Sequence, residues 1–141
     1  MRRATAAALP AMVAVLMAVA AGGCGLNIQA PDLFLLERTG GGRPLTLLVN
    51  DSGTIRCDGG RPRTLSAPLL LRARDLAESL DSDAKRSLRI PSPPDSVSRY
   101  RMRLQDGTIL FPDTAGRRHH ELAQAELFAV DAAQLVCGLP G

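Results

Sequence analysis

The stretch "SRYRMRLQDGTILFP", residues 98–112, constrains the fold more than any other part of this 141-residue chain. Tyr100, Met102 and Leu104 alternate with Arg99, Arg101 and Arg103, a period of two that sends apolar and charged side chains to opposite faces of one strand. Asp106-Gly107 is expected as a two-residue turn, and residues 108–111 return as the partner strand. A hairpin with one apolar face needs another layer to bury it.

The rest of the chain supplies that layer. Residues 33–38 ("LFLLER") predict a strand, ended by Gly40-Gly41-Gly42. Residues 44–50 predict a second, with apolar side chains at Leu45, Leu47 and Val49 on one face. Asp51-Ser52-Gly53 is turn chemistry, and residues 54–57 ("TIRC") complete a hairpin. Ser66 is placed to cap a helix with Pro68 in its first turn, followed by one stripe of Leu69, Ala73, Leu76 and Leu80. Leu70, Leu71 and Ala77 widen it. Residues 81–83 and the "PSPP" at 91–94 are expected as an ordered or loose connection that cannot be helical throughout. A second helix is expected over 121–137, with Ala125, Phe128, Ala132 and Leu135 facing the core, Ala129 and Val136 extending that face, and Gly138 and Pro140 stopping it. The expected fold is α+β: an antiparallel sheet of about four to five strands built from two hairpins, with two helices packed on one face.

The first 23 residues are of another kind. Arg2 and Arg3 precede residues 4–21, which carry no charge, and small residues at 20–23 lead to Cys24. That order describes an export signal. A transmembrane anchor is the competing reading, but Pro10 interrupts the run and alanine dominates it. Without this segment, 15 basic groups face 14 acidic ones, a net of +1. Whole-protein attraction to nucleic acid therefore has little support.

Ala21-Gly22-Gly23-Cys24 resembles the lipobox of bacterial lipoproteins, with Ala21 where that family most often carries Leu. The resemblance implies a diacylglyceryl group on the Cys24 sulfur and cleavage that makes Cys24 the new N-terminus. The chain then divides into a signal peptide (1–23), a lipidated N-terminus and tether (24–32) and one α+β domain (33–141). Lipid on Cys24 leaves Cys57 and Cys137 as one pair, expected to form a disulfide in an oxidising compartment. If cleavage fell earlier, three cysteines would enter that compartment and one would be left over. No two cysteines have the close spacing of a zinc site. The expected location is the extracytoplasmic side of the cell membrane. The expected partners are the membrane, through Cys24, and an envelope protein, with no nucleic acid.

Chemistry-bearing motifs are sparse. His119-His120 are the only histidines; adjacent residues point apart, and a metal would also need Asp113 or Glu121. No Gly-x-Ser-x-Gly elbow surrounds any serine, and the glycines at 40–42 and 59–60 do not form a phosphate loop. Neither catalytic residues, a cofactor nor a metal is expected. Arg99, Arg101 and Arg103 are the one surface feature with character. They either dock an acidic partner or lipid headgroups, or form a solvated face paired with acidic neighbours.

"LTLLVNDSGTIRCDGG", "LLLRARDLAESL", "YRMRLQDGTILFPDT" and "LVCGL" together resemble small lipoproteins of high-GC bacteria, which implies export and a lipid anchor but no activity. In element order alone, the chain is similar to emfourin, a small inhibitor of thermolysin-type metalloproteases. No inhibitor motif matches, so no inhibitory residue follows. The expected function is a lipid-anchored, non-enzymatic binding or accessory module of the cell envelope. The alternatives are an emfourin-like inhibitor of secreted metalloproteases and a small enzyme or metal-binding protein.

Overall fold

A computed structural model describes residues 28–140. The expected export signal, the lipobox-like stretch and Cys24 lie outside the described residues. Six strands form one antiparallel sheet in the order β4-β3-β2-β1-β5-β6: β1 (Asp32–Gly40), β2 (Leu45–Asn50), β3 (Thr54–Cys57), β4 (Pro62–Thr64), β5 (Ser98–Leu104) and β6 (Gly107–Pro112). Two main helices, α1 (Ala67–Ser79) and α3 (His120–Asp131), pack against it, with a short helix α2 (Asp81–Lys85) beside β5 and β6.

The α+β fold class is as expected, with six strands in place of four to five. The additional strand is β4, whose three residues are all exposed and whose Pro62 suits an edge position. Nothing in its side chains signals a strand; pairing with β3 makes it one. The β2–β3 connection is a three-residue loop closed by Gly53 at φ +88°, a left-handed conformation that glycine adopts without a steric cost.

The β5–β6 turn is corrected by one residue. Leu104 pairs with Gly107, so the loop is Gln105-Asp106 and Gly107 begins β6. Gly107 is required for close approach and not for the turn. A Cβ there would collide with the carbonyl oxygen of Ala84 in α2. Residues 81–83, expected in a connection that is not helical throughout, lie in α2. Leu80 and Ala84 are both fully buried, so the α1 stripe continues one turn past the acidic residues that obscured it.

The end of α3 also departs from expectation. Ala132–Val136 form a π turn, and the Cys137 N–H donates to the Ala132 carbonyl five residues back. The wider turn carries Leu135 out to 75 % exposure and brings Ala133 and Cys137 inward. Cys137 thereby meets Cys57 at the end of β3, and the two are joined by a disulfide with Cα atoms 5.9 Å apart. The core between helices and sheet is centred on Phe34, Phe111 and Phe128. Phe34 and Phe128 meet edge to face at 5.6 Å, and Tyr100 stacks on Phe111 at 5.1 Å.

Candidate functional site

Tyr100, Met102 and Leu104 are buried in the core beneath the helices, so Arg99, Arg101 and Arg103 occupy the opposite face of the sheet. The alternation is as read from the sequence. Arg99 and Arg101 are exposed, and Arg103 is half-buried. Cross-strand partners on that face are Thr39 for Arg99, Glu37 for Arg101 and Leu35 for Arg103 on β1, with Pro112, Leu110 and Thr108 on β6.

This outer face has an apolar floor. Leu35 has 0 % exposure yet lies apart from the main core, in register with Leu48 on one side and Arg103 on the other. β1 is therefore buried on both faces, as expected of a strand near the middle of a sheet. The uninterrupted run Leu33 to Leu36 is the sequence signal for it.

A wall rises at the β6 edge. The Leu110 N–H donates to the Leu88 carbonyl at 2.9 Å, and the Ile90 N–H to the Leu110 carbonyl at 2.9 Å. Residues 88–90 thus run parallel beside β6, and the proline-rich segment continues past them. Between this wall and the side chains of β5 and β1 lies an open groove of about 690 Å³, lined by Arg89, Arg99, Arg101, Glu37, Ile90 and Leu110 among others. Arg99 spans it, its Nε donating to Ser92 Oγ at 3.1 Å.

Charge in the groove is unbalanced. Elsewhere Arg72 pairs with Asp131 at 2.6 Å, Arg74 with Asp51 at 2.7 Å and Lys85 with Asp81 at 2.7 Å. Arg89, Arg99 and Arg101 form no ion pair among the described residues. Glu37 is the one carboxylate lining the groove, and its Oε2 is buried without a hydrogen-bond partner. Among the described residues no carboxylate comes within ion-pair distance of Arg99 or Arg101, although Glu37 is in register with Arg101.

His119 and His120 are both exposed at the start of α3. Glu121 is exposed beside them, whereas Asp113 accepts the Val97 N–H at 3.1 Å and the Ser98 N–H at 3.0 Å. Burial pushes the Asp113 carboxyl up, but these bonds and one from Ser96 outweigh it and hold it below the usual carboxylate range. Among the described residues, no three His, Cys, Asp or Glu side chains come together as a metal-binding group.

On the helix side, burial and then the charge of Asp113 push the Glu126 carboxyl up to about 7. A carboxyl that holds its proton more firmly in the fold contributes stability below its ordinary value of 4.5, and that contribution is lost as pH rises through about 7. Glu126→Gln is expected to be neutral near pH 4 and stabilising near pH 8. The gain is about 1 kcal/mol once solvent screening of this half-buried group is allowed for. Urea unfolding at the two pH values checks it, and an equal effect at both would refute the titration.

Comparison with protein-family models, with curated proteins and with solved structures finds no match.

Proposed function

We propose that this is a lipid-anchored extracytoplasmic protein whose domain acts as a non-enzymatic binding module of the cell envelope. The outer face of the sheet is its recognition surface. The observation that carries the binding role is the groove in which Arg89, Arg99 and Arg101 form no ion pair among the described residues. Packing of the helices uses the other face of the sheet. The Cys57–Cys137 disulfide supports export, because such bonds persist in oxidising compartments. It also accounts for two of the three cysteines and leaves Cys24 for the lipid.

Two measurements test the reading. Cys24→Ser is expected to abolish fatty-acid labelling and to release the protein from membranes; unchanged labelling and retention would refute the anchor. Replacing Arg99 and Arg101 together by serine is expected to leave circular dichroism unchanged, since exposed polar contacts each contribute below about 1 kcal/mol. The same variant should lose its crosslinked envelope partner. Unaltered crosslinking would refute the recognition surface.

A further inference from the structure

The geometry points to an extended acidic peptide segment as the occupant of the groove, with carboxylates at alternate positions on Arg99 and Arg101 and an apolar side chain on Leu110 and Ile90. This rests on the binding reading above and deepens it by naming the ligand.

Arg99 and Arg101 are two residues apart on one strand face, which sets them about 6.5 to 7 Å apart along the strand. An extended peptide presents its own alternate side chains at the same spacing, so two carboxylates of one segment fall opposite two guanidinium groups. Guanidinium meets carboxylate through paired N–H donors, and among the described residues Arg99 spends only its Nε, on Ser92. That bond also holds Arg99 across the groove. Arg89, on the wall at the β6 edge, adds a third cation. An apolar side chain flanking the two carboxylates on the same face of such a segment finds Leu110 and Ile90.

Glu37 decides against a pure polyanion. It stands in register with Arg101, and its buried Oε2 lacks a donor. An extended peptide sets neutral backbone between its carboxylates, whereas a phosphodiester or sulfated chain carries dense negative charge past Glu37. Glu37 therefore favours peptide over nucleic acid, sulfated glycan or an anionic lipid surface.

The experiment uses the full chain in phosphatidylcholine nanodiscs, titrated with a labelled Leu-Val-Glu-Val-Glu peptide, the same peptide with Lys for Glu, and heparin. The acidic peptide is expected to bind and the Lys peptide not to bind. Arg99→Ser and Arg101→Ser should each weaken binding by roughly tenfold or more, as loss of a hydrogen-bonded charge pair does. Glu37→Gln should strengthen heparin more than the peptide. Absence of acidic-peptide binding overturns the inference. So does heparin binding that rivals the peptide in the parent protein and falls in step with it in every variant, the mark of a simple polyelectrolyte site. Binding abolished by phosphatidylglycerol in the discs would assign the groove to lipid headgroups and overturn it too. If peptide binding fails while the arginine variants still lose their crosslinked partner, the recognition surface stands and only the peptide falls. If the partner is also retained, both fall.

Discussion

Changing Cys57 and Cys137 together to serine is expected to lower the free energy of unfolding by about 4 to 5 kcal/mol. The bond joins residues 80 apart in sequence, the end of β3 to the residue after the π turn, and so encloses β4, α1, α2, the β5–β6 hairpin and α3. In the unfolded chain, that closure removes the conformations in which the two ends drift apart; serine restores them. A domain of this size is stabilised by only about 5 to 15 kcal/mol, so the variant is expected to be partly unfolded at body temperature. Urea unfolding of parent and variant measures the difference, and a drop below about 1 kcal/mol would contradict it. Thiol counting on the unfolded, unreduced Cys24→Ser protein is expected to find no free thiol.

Phe128→Ala is expected to cost about 3 to 5 kcal/mol, the range for deleting a large buried ring whose surroundings relax only in part. Phe128 has no exposure and presses its ring against Phe34, which couples α3 to β1 through the middle of the core. The chain has three phenylalanines, one tyrosine and no tryptophan, and all four rings are buried. No neighbouring ring is free to fill the void. Leu127→Ala, one residue earlier on the exposed side of α3, should change stability by less than about 0.5 kcal/mol. Equal effects of the two substitutions would show that the packed face of α3 is misassigned.

Much of this was legible in the sequence where side chains alone dictate the outcome. Alternation fixed the two faces of β5, and a stripe at steps of three and four fixed the buried face of α1. What escaped depends on contacts between distant parts of the chain. β4 exists through its ladder to β3, not through any apolar pattern of its own. Asp106-Gly107 has the composition of a tight turn, but the glycine is spent on the approach of α2. Leu135 fits an α-helical stripe that a single π turn displaces. The arginines were readable as a row, whereas the groove was not. Its far wall is made by residues 88–90 settling against β6, in a segment that proline makes look like an open loop.

The placement of β1 between β2 and β5 has a mechanical consequence. If Cys24 carries a lipid, tension on it would enter the domain at Asp32 and run along β1. If the groove holds its ligand, that load leaves through β5, and the two strands are joined by six registered pairs from Leu35 opposite Arg103 to Gly40 opposite Ser98. Ladder hydrogen bonds lie across the strands, so force along β1 shears the whole ladder at once and does not peel it bond by bond. The disulfide takes no share of the load, because β1 lies outside the loop it closes. A tug between the membrane and a bound partner would be borne by the central ladder of the sheet.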